Sequence, residues 1–205
     1  METLEKTSLT DKIINGLKKA VEELEQFRLQ ASLGKAQAKD VYEEAKKKFN
    51  AYLHEAKLRF DNAKEIATEK TTQLKTALEE LQVQLALGKA ETKEAFEEQR
   101  KTITHALNSL ETLIRSNKTS SEYYSRLLME TEQFKIKLDI LRMQYKLNKF
   151  RKLENLDSTK TDLSKKLFDI KNRLAKKEQE AKGKWEHFQE EISDAYSHLK
   201  KAFVG

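Results

Sequence analysis

Proline is absent from all 205 residues of this chain, and that absence shapes most of what it can fold into. Average usage of roughly 5% would supply about ten prolines. Proline lacks an amide donor and its ring clashes with the preceding helical turn, so a chain without it carries helices with no forced break. The apolar residues use that freedom. From Leu17 they fall at Ala20, Leu24, Phe27, Ala31, Gly34, Ala38, Val41 and Ala45, in alternating steps of three and four. That is the spacing of a seam between helices lying side by side. The phase shifts near Lys48, then resumes through Phe49, Leu53, Ala56, Phe60, Ala63 and Ala67. Later runs are Leu74, Leu78, Leu81, Leu85 and Ile103, Leu107, Leu110, Ile114.

Polar clusters at 116–121 and 155–159 interrupt the pattern. Short polar side chains there compete for backbone hydrogen bonds and favour caps and turns. Thr10–Asp11 reads as the entry to the first helix, Thr119 with Glu122 has capping-box form, and Thr159 with Asp162 reads as a cap for the last. Between the clusters, Tyr124, Leu127, Phe134, Leu138, Leu141 and Tyr145 are flanked by Ile136, Ile140, Met143 and Leu147. This face is wider than a two-stranded seam needs, so the helix is expected to touch two neighbours. The last stripe runs Leu163, Leu167, Ile170, Leu174, then Trp185, Phe188, Ile192, Ala195, Leu199 and Ala202. The fold class is all-α: an elongated antiparallel helical bundle or coiled-coil hairpin of long amphipathic helices, expected at 10–66, 72–115, 121–155 and 159–203. Three regions follow: a disordered N-terminus at 1–9, a duplicated long-helix region at 10–118, and a helical hairpin at 119–205.

The duplication is direct. Residues 33–44 read LGKAQAKDVYEE and residues 87–98 read LGKAETKEAFEE, identical at seven of twelve positions at an offset of 54. Leu24 matches Leu78, Gln30 matches Gln84, and Tyr42 is replaced by Phe96. A weaker third copy, AKGKWE at 181–186, aligns Trp185 with Tyr42. Gly34 and Gly88 recur on the seam, although glycine in a helix costs about 1 kcal/mol relative to alanine. Either a neighbouring backbone approaches closely there, or a helix ends there. The unbroken phase through Ala38 and Val41 favours the first. Gly34, Gly88, Tyr42 and Phe96 are therefore the predicted packing positions of the repeat.

Charge is unevenly placed. Residues 1–134 hold 22 Lys and Arg against 23 Asp and Glu, and residues 135–184 hold 16 against 7. The basic segment 135–184 includes Lys146, Lys149, Arg151, Lys152, Lys165, Lys166, Lys171, Arg173, Lys176 and Lys177. Such a face either pairs with acidic residues inside the bundle or meets an anionic membrane surface, where each charge contributes about 1 kcal/mol. Nucleic-acid phosphate is the less favoured partner, because Phe150, Trp185 and Phe188 lie on apolar seams rather than offering stacking platforms.

Catalytic and cofactor chemistry has little to stand on. The chain has no cysteine, and His54, His105, His187 and His198 have neither helical metal-site spacing nor an HExxH pattern. Gly34-Lys35 and Gly88-Lys89 lack the second glycine of a phosphate loop. Glu43-Glu44 and Glu97-Glu98 are repeated carboxylate pairs, with Glu43 expected to pair with Lys47 one turn on. The start METLEKTSLTDK has no apolar segment of signal type, and no run approaches the roughly 18 apolar residues of a membrane span. A cytoplasmic protein, membrane-peripheral in the alternative, is expected, with no cofactor.

The stretch AKGKWEHFQEEISDAYSHLKKAF resembles the end of small bacterial coiled-coil proteins linked to stress responses. Trp185, Glu186, Ile192, Ala195, Leu199, Lys200, Ala202 and Phe203 carry the likeness, over about a fifth of the chain. The resemblance implies a non-enzymatic helical protein without an active site. The combined expectation is a structural or interaction protein that binds a protein partner or itself as a homodimer. The alternatives are peripheral binding to anionic membrane through 135–184 and non-specific nucleic-acid binding.

Overall fold

The computed structural model describes the backbone of residues 8–62, 68–116, 122–147, 156–180 and 185–204, and the side chains of 8–60, 72–116, 122–145, 161–176 and 185–204. The described residues form seven helices and no strand: α1 (Leu9–Ser32), α2 (Lys35–Asn62), α3 (Thr68–Leu85), α4 (Lys93–Arg115), α5 (Glu122–Leu147), α6 (Leu156–Glu180) and α7 (Trp185–Val204). The chain is all-α and bundled, as its spacing predicts. Its helices are shorter than expected: the longest, α2, has 28 residues and extends about 42 Å at 1.5 Å per residue.

Cross-helix pairs give each direction. Lys12 meets Glu122 at 2.6 Å and Lys137 meets Glu23 at 3.4 Å, so α1 runs parallel to α5. Phe49 stacks on Phe134 at 4.3 Å and Phe60 lies 5.6 Å from Tyr124, so α2 returns antiparallel. α3 runs back along α2, with Lys57 pairing to Glu79 and Lys46 donating to the Leu87 carbonyl at 3.2 Å. In α4, Phe96 stacks on Tyr145 and Arg115 reaches Glu132, antiparallel to α5. Lys171 of α6 reaches Asp11 at 3.8 Å, and α6 lies antiparallel to α1. α7 runs with α5, from Trp185 beside Tyr124 to Lys200 on Asp139 at 2.7 Å.

The centre is α5. It packs against α1, α2, α4 and α7, twice the two neighbours its wide face predicts. Leu127, Leu128, Phe134, Ile136, Leu138, Ile140 and Leu141 are all buried, and they point in every direction around the helix. Each contributes about 1.5–3 kcal/mol by leaving water. The other helices bury one stripe each and keep a charged outer face.

The glycines correct the favoured reading. Gly34 does not lie within a helix: it follows Leu33 in the turn joining α1 to α2, with φ at +149°. Gly88 lies in the 86–92 connection between α3 and α4, and a Cβ there would meet nothing within 4 Å. The seam phase survives the Gly34 turn because both arms of the hairpin face α5, and Ala31 and Ala38 are buried on either side. The close approach is at Gly16, where a Cβ would come within 2.9 Å of Met129 Cε.

Caps also differ from expectation. The α1 cap is Ser8, whose Oγ accepts from the Asp11 amide at 3.1 Å and donates to the Asp11 carboxylate. Thr92 caps α4 through the Ala95 amide. Thr159 lies inside α6, which already runs at Leu156. Thr119 and residues 181–184 of the weak third repeat fall outside the described residues. At the far end of α4, Trp185 Nε1 donates to the Ile114 carbonyl at 3.2 Å and Gln189 Nε2 to the Arg115 carbonyl at 3.1 Å. The start of α7 thus supplies donors that the end of α4 lacks within its own helix.

Candidate functional site

Among the described side chains of the basic segment, five meet carboxylates of the bundle. Lys135 pairs with Glu111, Lys137 with Glu23 and Arg142 with Glu97. Lys171 reaches Asp11, while Arg173 binds Glu191 at 2.8 Å and Asp194 at 2.7 Å. The two carboxylates hold Arg173 above its usual pKa, chiefly through the Glu191 hydrogen bond. Lys165, Lys166 and Lys176 are exposed along α6. Lys146, Lys149, Arg151, Lys152 and Lys177, along with Phe150, lie outside the described side chains. Trp185 and Phe188 are buried, so neither offers a face to a nucleic-acid base.

Among the described residues, helix α6 packs chiefly on α1 and α7 and leaves a groove beside α1. The groove has a volume of about 700 Å³, with Ile14, Val21, Leu163 and Leu167 along its floor. Its rim carries Lys18, Glu22 and Glu25 on α1 and Lys171 on α6. Phe168 borders it and is 64% exposed, off the α6 stripe. An apolar trough with a charged rim is the shape that accepts an amphipathic helix.

The repeat pairs its own copies. Tyr42 and Phe96 meet edge to face, with centroids 5.1 Å apart. Each copy builds a helix–turn–helix, and the buried positions correspond: Leu24 with Leu78, Phe49 with Ile103, Leu53 with Leu107, Phe60 with Ile114. Glu43 does not use Lys47. It pairs with Lys46 at 3.1 Å and accepts from the Ala90 amide. Lys46 is 2% exposed and also donates to the Leu87 carbonyl and to Gln99 Oε1. Tyr42 donates to the same Gln99 oxygen at 3.1 Å, and Gln99 Nε2 donates to the Gly88 carbonyl at 2.6 Å. The first repeat therefore clamps the connecting loop of the second.

Polar residues enter the core on α5. Glu132 meets Arg115 and Lys135, and so does Glu111 of α4. Burial works against the Glu111 charge, but hydrogen bonds from Lys135 and Arg115 outweigh it and hold that carboxyl below its usual range. Glu130 goes the other way: burial, reinforced by the nearby charge of Glu23, pushes its carboxyl up. Tyr196 of α7 is raised by burial and by the carboxylates of Glu130, Glu132 and Glu23. Sequence reading missed Lys46, Glu130 and Tyr196 as site candidates. The available signal was a set of charged residues, Glu130 and Glu132 among them, inside the chain's widest apolar stripe.

Among the described residues, no three His, Asp or Glu side chains gather as metal ligands, and no helix is long and apolar enough to cross a membrane. No family model matches this chain, and neither a curated protein nor a solved structure resembles it at a significant level.

Proposed function

We propose that this chain is a non-catalytic helical interaction protein whose working surface is the α1/α6 groove, with a second copy of the chain as its first partner. The observation that carries the reading is Phe168, exposed at the edge of a groove whose floor is Ile14, Val21, Leu163 and Leu167. An apolar trough in water is stabilised by any amphipathic helix that covers it. The rim carries both signs, Lys18 and Lys171 against Glu22 and Glu25, which suits a partner with the same mixed surface. Sedimentation velocity across a concentration series tests it. Concentration-dependent dimerisation, lost in Phe168→Asp, is the expected result. A wild-type monomer at every concentration would remove the self-association reading.

The exposed Lys165 and Lys166 near Phe168 favour a second reading, peripheral attachment to anionic membrane. The magnitude ranks it second. With Lys171 and Arg173 committed to carboxylates, exposed Lys165 and Lys166 supply only about 2 kcal/mol at an anionic surface. Co-sedimentation with anionic and neutral vesicles across a salt series, with duplex DNA as competitor, separates this reading from nucleic-acid binding.

A further inference from the structure

The two repeats differ through much of the core and agree at one point on the surface. Leu24 and Leu53 keep their leucine in the second copy, but buried Phe27 becomes Leu81, Ala31 becomes Leu85, Phe49 becomes Ile103 and Phe60 becomes Ile114. By contrast Leu33-Gly34-Lys35 recurs unchanged as Leu87-Gly88-Lys89, with both leucines and both lysines exposed. Packing does not ask for that identity. Gly34 needs glycine for its φ of +149°, but Gly88 has no positive φ and a Cβ there would meet nothing within 4 Å. One turn earlier, exposed Leu29 is matched by exposed Val83. These apolar side chains are between 43% and 74% exposed, and none of them lines the α1/α6 groove.

Both motifs come to one end of the bundle. α1 and α3 each run in the direction of α5, so the turn after α1 and the connection after α3 lie side by side. Lys39 on Glu91 at 3.3 Å and Glu43 accepting from the Ala90 amide join them. Each tip, 29–36 and 83–90, carries one lysine and no acid, in a chain with 34 acidic residues. Leucine beside lysine on a protruding turn matches a bilayer with anionic headgroups: the apolar side chain enters the acyl boundary and the ammonium stays with the phosphates. A flat surface touches both tips at once, which strengthens attachment beyond either tip alone. It also accounts for the repetition. A protein partner meets the two tips in different surroundings and selects different residues at each, whereas a fluid surface is the same under both. We propose that this end of the bundle docks on an anionic lipid bilayer, with Leu29, Leu33, Val83 and Leu87 in the interface and Lys35 and Lys89 at the headgroups.

The test is flotation of the full chain with vesicles of phosphatidylcholine alone and of phosphatidylcholine with about 30% phosphatidylserine, across a salt series. Wild type should bind the anionic vesicles and leave them as salt rises. Leu33→Gln/Leu87→Gln, at exposed positions that cost the fold little, should weaken binding about tenfold or more, because two leucines then stay in water. Lys35→Gln/Lys89→Gln should weaken it about fivefold per lysine. Lys165→Gln/Lys166→Gln on α6 removes the same charge from another face and should leave binding nearly unchanged. Because the chain has no cysteine, Leu33→Cys or Leu87→Cys takes a single polarity-sensitive fluorophore. Its emission should shift to the blue on anionic vesicles, while a label at Asn108→Cys, on α4 away from the tips, should not shift. Circular dichroism of each variant confirms that the helices persist. No wild-type binding by about 1 mM lipid, binding untouched in Leu33→Gln/Leu87→Gln, or a larger loss from the α6 lysines than from the tip lysines would overturn the proposal. So would a wild-type dimer that Leu33→Gln/Leu87→Gln abolishes without any vesicle binding, which would give the tips to a second copy instead.

Discussion

Lys46 is the residue whose removal best tests the reading of the duplicated region. Its ammonium is 2% exposed and its three donors serve Glu43, the Leu87 carbonyl and Gln99 Oε1. It also sits 4.8 Å from the Tyr42 ring centroid. Lys46→Met keeps the alkyl chain and deletes the charge. Removing one partner of a buried pair costs about 3–5 kcal/mol when the other is stranded. Here the stranding is partial: Glu43 is 30% exposed and recovers water, and Gln99 Oε1 keeps the Tyr42 hydroxyl. The Leu87 carbonyl loses this donor. The net expectation is a loss of about 2–3 kcal/mol, made of one part-buried carbonyl left without this donor and one weakened charged hydrogen bond. At about 2–4 °C per kcal/mol for a chain of this size, Tm falls by about 4–12 °C. Urea unfolding followed by circular dichroism reads it as a lower midpoint at constant slope. Arg100, its counterpart in the second repeat, holds Glu97 at 3.1 Å, but Glu97 also has Arg142 at 3.5 Å, so Arg100→Met should lose less. A Lys46→Met protein as stable as wild type, or a larger loss at Arg100, would refute the clamp.

Gly34→Ala forces a Cβ onto a residue at φ +149° and should destabilise by about 1–3 kcal/mol, while Gly88→Ala, with open space and no positive φ, should be neutral or gain up to about 1 kcal/mol; thermal melts of the pair decide it. Because burial raises the Glu130 carboxyl, its protonated form is the one the fold prefers, so its favourable contribution is complete below the ordinary carboxyl range and is lost as pH rises through the folded-state value. Glu130→Gln should therefore be more stable than wild type near neutrality, with the difference closing in acid; urea midpoints across a pH series check the sign. Trp185→Phe removes the donor to the Ile114 carbonyl and should cost about 1–2 kcal/mol, read from the denaturant midpoint, whereas a neutral result would mean that the carbonyl is satisfied without it.

Much of the fold was legible because helical burial is periodic. The stripes at Leu24, Phe49, Leu53, Leu78, Ile103, Leu107 and Leu199 are buried as their spacing requires. The Tyr42 and Phe96 pair was visible as a repeat, and the structure puts the two rings together. The turn at Gly34 was not legible, because two arms packing on one helix keep the same phase through a reversal. Lys46 was hidden for a related reason. A lysine three residues after a glutamate on an alanine-rich helix reads as solvated, and only the fold of the second repeat, 41 residues on, buries it. Pairing inside the bundle was one of the readings of 135–184, but the partners were not legible for the same cause: Asp11, Glu23, Glu97, Glu111 and Glu191 are remote in sequence.

The position of α5 sets a timetable for the chain's birth. The first hairpin of the duplicated region ends at Asn62 and the second at Arg115, but the helix they share is complete only at Leu147. At about 5–20 residues per second on a ribosome, the 32 intervening residues take about 2–6 s. Through that interval four helices exist without the surface they are shaped to cover, and their leucine and phenylalanine stripes face water or each other. Residues 1–134 hold nearly equal numbers of positive and negative side chains, so electrostatic repulsion does little to keep neighbouring nascent chains apart. The same helix that unifies the finished core thus leaves the unfinished one a natural client for chaperones, and a translational pause before residue 122 would lengthen that exposure.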